Sequence, residues 1–339
     1  MQKTTDTLND SLSVHPGWGK MFQHAKKELR VQSLFDNWRT TPSNRLYLED
    51  LRNDLYAALT DPEQTIPFIS KCAKSVNPFT FGCFSLLFWT SPCIKTALKN
   101  SEDYSILMSN PIHLQSQTMN NGDIEIWFID NETTHHNPTV THLGTLLYIL
   151  TLSEMLQRLI DHPVPPLAIE LVSPEFTDIQ LDTIRQISNV SLSPNKTQNK
   201  LCVPHELLQI GNPYYDEEVY HSQLDLVRVK ASALKKNDII TNIFIYLDGM
   251  RDLTTVSAET TANYLAMSVR TLNRKLNNQN TSYRDVLTNY RIEKSLRLLS
   301  DNSLNVTEIA FQLGFGDVSS FSRAFKGWTG TTPSKLRNT

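Results

Sequence analysis

From Ile239 to the end, the sequence supplies helix starts and helix stops and no strand signal. Residues 239–247 are apolar enough for a packing helix, and a series of capping residues follows. Ser257 can cap 258–265 and Ser268 can cap 269–279. A short oxygen-bearing side chain accepts from the backbone N–H groups that a first helical turn leaves unpaired. Ser282 with Asp285, and Asn305 with Glu308, have the spacing of a capping box and open helices at 282–300 and 306–313. Asp317 can cap a helix through Trp328, and Thr332-Pro333 opens a last turn. A chain punctuated this often builds a bundle of short helices.

Within that bundle a helix, a tight turn and a second helix occur twice, about fifty residues apart. The first unit is 258–265, turn 266–268, then 269–279; the second is 306–313, turn 314–316, then 317–328. In the first, Leu272 and Leu276 supply a buried side while Arg270, Asn273, Arg274 and Asn277 share the other. In the second, Phe321 and Phe325 are the buried side, opposite Ser319, Ser322, Arg323 and Lys326. A single Arg and Asn face is most often a solvated surface, but two in tandem suit the major groove of double-stranded DNA. Arg pairs with guanine O6 and N7, Asn with adenine N6 and N7, and Ser or Lys reach phosphates. The 282–300 helix is roughly 28 Å long at about 1.5 Å per residue, against about 34 Å between successive major-groove segments on one DNA face.

Residues 239–339 resemble the DNA-binding domain of the AraC/XylS family of bacterial transcription regulators. The resemblance rests on Ile309-Ala310-Phe311, Gly314-Phe315, Asp317, Ser319, Phe321, Arg323, Phe325-Lys326, Gly330, Pro333 and Arg337, in that order and spacing. It implies that Arg270, Asn273 and Arg274 lie on the base-reading face of the first unit, and Ser319, Ser322 and Arg323 on that of the second. It also implies operator DNA and RNA polymerase as partners and the cytoplasm as the place of action. Three positions depart from the pattern: Ala266 stands where Gly is frequent, Val318 where a polar residue is common, and Leu336 where an aromatic is usual.

The rest of the chain differs in charge and in periodicity. From Lys236 onward there are 13 Lys+Arg and 9 Asp+Glu, leaving 19 and 26 of the total 32 and 35 for residues 1–235. The overall charge of −3 therefore conceals a mildly basic tail behind an acidic body. Helical patterning covers Leu46, Leu48, Leu51, Leu55, Tyr56 and Leu59 up to a break at Asp61-Pro62, and an apolar stretch runs over 79–89. Ser91 is expected to cap, with Pro92 in the first turn, a helix reaching about Met108. Asn120-Asn121-Gly122 between 113–119 and 123–130 reads as a β-hairpin whose Ile124, Ile126 and Phe128 share one face. A buried helix at 143–160, a helix at 178–187, strands at 167–172 and 201–203, and a connecting helix at 224–234 complete the reading.

The fold class is thus α+β. A mixed α/β regulatory domain over 1–220 precedes a linker at 221–238 and an all-α double helix-turn-helix domain over 239–339. The N-terminal body, over about 25–210, more weakly resembles the arabinose-binding-type regulatory domain carried by one branch of that family. This implies a small-molecule effector, not necessarily arabinose, and a dimerising module; in a body that only dimerises, 224–234 or 143–160 is expected to contribute to the homodimer contact.

Chemistry of other kinds finds little footing. His135-His136 has no third ligand at a supporting spacing, His205-Glu206 lacks the second His of a zinc-protease motif, and Gly314-Phe315-Gly316 lacks the third Gly and preceding strand of a dinucleotide loop. GxSxG and Walker A sequences are absent. Cys72, Cys83, Cys93 and Cys202 form no CxxC pair and read as reduced packing thiols. The N-terminus lacks a basic start with an apolar core segment, and no run of about 18 uncharged apolar residues suggests a membrane span. No metal, cofactor or catalytic residue is expected. The alternatives to an effector-responsive regulator are an enzyme tethered to DNA, or a body that only dimerises.

Overall fold

The computed structural model describes residues 13–29, 38–58, 62–130, 138–160, 164–172, 176–194, 196, 198–279, 281–300 and 304–337. The expected break at Asp61 and the His135-His136 pair lie outside these residues.

The N-terminal body opens with β1 (Ser13–Val14), α1 (Gly17–Leu29), β2 (Leu46–Tyr47), α2 (Leu48–Ala58) and α3 (Pro62–Lys74), and β1 pairs antiparallel with β2. α1 buries Trp18, Met21, Phe22 and Ala25, the one-sided spacing of a helix lying on a core. Then come α4 (Cys83–Trp89) and α5 (Ile94–Tyr104). α5 is not capped as expected: it starts at Ile94, its N-cap is Cys93, and no side chain caps it. Ser91 turns instead to the preceding helix, its Oγ donating to the Leu87 carbonyl at 2.8 Å.

The sheet is formed by β3 (Ile112–Thr118), β4 (Ile124–Asp130), β5 (Leu167–Glu170), β6 (Val190–Ser193) and β7 (Lys200–Val203), in the order β3-β4-β7-β5-β6. All pairings are antiparallel except β5 with β6, which α7 (Asp178–Ser188) links as a crossover. In the β3–β4 turn the positive φ falls on Gly122, at 88°, where no Cβ opposes it. Between β4 and β5 runs α6 (Pro138–Leu159). Residues 145–156 of α6 are all buried, which makes it the central helix of the body and leaves that stretch no face for a second copy of the chain.

After α8 (His205–Leu208) comes α9 (Glu217–Asn237), one continuous helix that contains the connecting helix expected at 224–234 and extends beyond it at both ends. It buries Tyr220, Val227 and Ala231 in the N-terminal core. The C-terminal helices are α10 (Ile239–Asp248), α11 (Ala258–Tyr264), α12 (Val269–Asn277), α13 (Tyr283–Ser300), α14 (Val306–Gln312), α15 (Val318–Thr329) and α16 (Pro333–Arg337). Asp238 ends α9 and caps α10, accepting from Thr241 N.

Two hydrophobic cores result. The first spans residues from Val14 to Ala231 and the second from Ile239 to Leu336, but Trp127 and Ile129 of β4 belong to the second. Successive residues of a strand point to opposite faces. Ile124, Ile126 and Phe128 enter the N-terminal core, while Trp127 and Ile129, on the other face of the sheet, belong to the core that α10 and α13 build. The His113 ring on β3 likewise lies 5.6 Å from that of Phe244 on α10, itself 5.2 Å from Tyr290 on α13. Among the described residues no helix is long and apolar enough to cross a membrane.

Candidate nucleic-acid interface

Both helix-turn-helix units are built the same way. Ser257 and Asn305 form full capping boxes with Thr260 and Glu308 at the heads of α11 and α14. At the first turn, Met267 N donates to Ala262 O and Ala266 N to Asn263 O, at 3.0 and 3.1 Å. At the second, Phe315 N donates to Ala310 O and Gly314 N to Phe311 O, both at 3.0 Å. This paired closure needs a left-handed residue just past the helix, supplied by Ala266 at φ 51° and Gly314 at φ 78°. Gly314 also meets a packing limit, since a Cβ there would lie 2.8 Å from the Leu253 carbonyl carbon and oxygen.

The second helix of each unit starts on a cap: Ser268 accepts from Thr271 N, and Asp317 from Ser320 N. Asp317 also accepts from Ser320 Oγ at 2.7 Å. These hydrogen bonds, the backbone one first, hold its carboxyl below the usual aspartate range, with the Arg323 charge adding to them. Leu272 and Leu276 bury one side of α12, and Phe321 and Phe325 one side of α15.

On the opposite side of α12, Arg270, Asn273, Arg274 and Asn277 are exposed along a shallow open groove that Val269 and Asn278 complete. On α15, Ser319, Arg323 and Lys326 are exposed, whereas Ser322 is half-buried. Arg323 approaches the cap, with Nη2 3.5 Å from Ser320 Oγ. Of the three departures, Val318 is partly buried against the C-terminal core and Leu336 is buried in it, so both serve packing. Ala266 takes up the left-handed conformation despite its Cβ, at a cost of about 1 kcal/mol.

Two bracing contacts escaped the sequence reading. The Tyr283 hydroxyl at the head of α13 lies 2.7 Å from Thr261 Oγ1 in α11. Farther along α13, Arg291 bonds the Leu313 carbonyl and lies over the Phe315 ring. The shared helix therefore grips the supporting helix of one unit and the turn of the other. Elsewhere, among the described residues, no group of three His, Cys, Asp or Glu side chains could hold a metal ion. Burial pushes the Cys72 thiol well above its ordinary range and the Cys202 thiol up to about 12, the latter assisted by Glu125.

Residues 261–339 match a protein-family profile described as a helix-turn-helix domain. The HTH-type transcriptional regulator VqsM of Pseudomonas aeruginosa is 32% identical over 123 residues, 35% of this chain and 38% of that protein. The ornithine utilization regulator of the same organism is 43% identical over 79 residues, 23% of each chain. The similarity thus spans well under half the length of these relatives. The crystal structure of the transcriptional regulator CdpR from Pseudomonas aeruginosa covers 94% of this chain and 97% of its own at 17% identity, with a TM-score of 0.49, too low to speak for a common architecture.

Proposed function

Because residues 261–339 are a helix-turn-helix domain of the AraC type, we propose that the chain is a sequence-specific DNA-binding transcription regulator, not an enzyme, and that its N-terminal body responds to a small-molecule effector. The observation that carries this reading is the duplication of one helix-turn-helix geometry, with the same hydrogen bonds at both turns and an exposed polar face on each second helix. Arg270, Asn273, Arg274 and Asn277 would read one major-groove segment. Ser319, Arg323 and Lys326 would read the next, with the half-buried Ser322 at the margin of that contact.

Residues 1–220 would be the sensing body and 239–339 the DNA reader, joined through α9. A second copy of the chain is the partner proposed for the outer side of α9, which exposes Val219, Leu226 and Val229. RNA polymerase would be the further partner of a regulator at its promoter, and the cytoplasm its place of action. Sedimentation of Leu226→Glu against wild type tests the dimer: a wild-type monomer would rule it out.

The regulator reading is tested by selecting genomic fragments with the full-length chain and titrating the bound sites at several salt concentrations. Affinity should fall steeply with salt, because Lys and Arg contacts to phosphate release condensed counterions. Failure of any selected fragment to outcompete random DNA would end this reading.

A further inference from the structure

Three helices of the N-terminal body meet around a small, partly open apolar cavity of about 70 Å³. Trp18 and Phe22 line it from α1, Leu51 and Leu55 from α2, and Gly144 and Tyr148 from α6. Each pair is one turn apart and so shares a face of its helix. Two features of α6 distinguish this space from loose packing. Gly144 sits inside the helix, where glycine costs about 1 kcal/mol relative to alanine. A Cβ built there would meet nothing within 4 Å. Tyr148 is 1% exposed, and its hydroxyl has no hydrogen-bond partner among the described residues, a deficit that a bound molecule can make good. Burial also pushes the phenol upward, so it remains a neutral hydroxyl able to donate or accept.

We propose that this cavity is the effector site and that it binds a small molecule with one apolar ring and a single oxygen function paired with the Tyr148 hydroxyl. A sugar-like polyol is the wrong chemistry. Arg52, Ser109, Thr145 and Tyr148 are the polar groups of an otherwise apolar lining, too few to pair every hydroxyl of a polyol packed against Trp18, Phe22 and the leucines, and an unpaired buried hydroxyl is unfavourable. The cavity also has a physical route to the reading helices. Ile112 lines it at the start of β3, and the next residue, His113, points to the opposite face and meets Phe244 of α10. Displacing Ile112 displaces the strand on which α10 and α13 rest. The word effector rests on the regulator reading above; the cavity's ligand chemistry does not.

The test uses the full-length chain with three probes: 3-phenylpropan-1-ol, propylbenzene and the pentose arabinose. Phenylpropanol should raise the melting temperature and bind about tenfold more tightly than propylbenzene, the worth of one well-placed hydrogen bond, while arabinose should have no effect. Tyr148→Phe should remove the tenfold preference and keep binding to the ring. Gly144→Leu, which fills the space, should melt at or above the wild-type temperature and lose the response to phenylpropanol. No stabilisation by either ring probe, undiminished phenylpropanol binding by Gly144→Leu, or stabilisation by arabinose would each overturn the assignment. Operator affinity is measured alongside. A change on adding phenylpropanol supports the effector role, whereas binding without that change overturns it. A chain that binds the ring probes but no DNA would instead sink the regulator reading.

Discussion

Arg291 Nε donates to the backbone carbonyl of Leu313 at 3.0 Å, and the same guanidinium lies over the Phe315 ring, 5.2 Å from its centroid. One side chain of the shared helix thus holds the carbonyl just before the second unit's turn and an aromatic residue within it. Arg291→Met keeps an apolar stem but leaves that carbonyl without its donor, a loss of about 1–3 kcal/mol. Thermal melts should show that loss. Footprinting should show weakened protection in the half of the site read by α15, with the α12 half retained. Equal loss over both halves would show that Arg291 serves the whole domain.

Arg274 and Arg323 occupy corresponding exposed positions on the two second helices. Arg274→Ala and Arg323→Ala should each cost about 1–3 kcal/mol in operator binding and relax base preference at different groove segments. If Arg323 contacts phosphate instead, its variant should lower affinity uniformly and reduce the salt slope by about 1. Binding titrations on operators permuted base by base separate these outcomes.

The two turns should answer oppositely to exchange of Ala and Gly. Ala266→Gly removes the Cβ from a residue at φ 51° and should stabilise the protein by up to about 1 kcal/mol, partly offset by the greater freedom of the unfolded chain. Gly314→Ala brings a Cβ to 2.8 Å from the Leu253 carbonyl at a left-handed position, and should destabilise by more than that. Denaturant melts of both variants check the pair, and similar effects of the two would show that the turns are not equivalent in strain.

Burial holds the Glu293 carboxyl up at about 8, from an ordinary 4.5, with Asp248 and Glu102 adding to the rise and Arg297 opposing it. Its Oε1 is buried with no partner among the described residues. A carboxyl whose folded pKa is raised binds its proton more tightly in the folded state. Its contribution is therefore full below about pH 4.5 and is lost as pH rises through about 8. His113, pushed to about 4 by burial and secondarily by Lys235, acts in the other direction: its contribution is present above about 6.5 and lost as pH falls through about 4. Because His113 is common to both proteins, Glu293→Gln isolates the carboxylate. The variant should gain stability over wild type between about pH 5 and about pH 9, by roughly 1–3 kcal/mol at the alkaline end. Parallel melting curves across that range would refute the assignment.

The C-terminal half was legible because its information is local. A cap, a turn residue and an apolar face each leave a mark within a few residues, and Ser257, Ser268, Asn305 and Asp317 all cap where expected. The N-terminal half depends on contacts distant in sequence. Ser91 reads as a cap, but its hydroxyl is taken by the Leu87 carbonyl one turn back. β6 is four residues, pairs in parallel, and shows no apolar alternation long enough to detect. The hairpin was visible from Ile124, Ile126 and Phe128, yet the burial of Trp127 and Ile129 was not, because nothing near them announces helices more than a hundred residues later. The exposed polar faces of α12 and α15 are legible as residue types, but Ser322 is half-buried, because helical spacing does not resolve the edge of a face. Arg291 looked like one more surface charge, since its role depends on a carbonyl in a different helix.

β4 is a seven-residue strand whose alternate side chains are owned by different cores. Melting of the body releases the strand and strips Trp127 and Ile129 from the C-terminal core, while melting of the C-terminal helices uncovers those two side chains on a strand still paired in the sheet, so the two cores are coupled through β4. In calorimetry the chain should therefore give a single transition in place of two. The β4 amides should exchange with deuterium as slowly as the slowest amides of either half, so that damage to one half is felt as a loss of cooperativity in both.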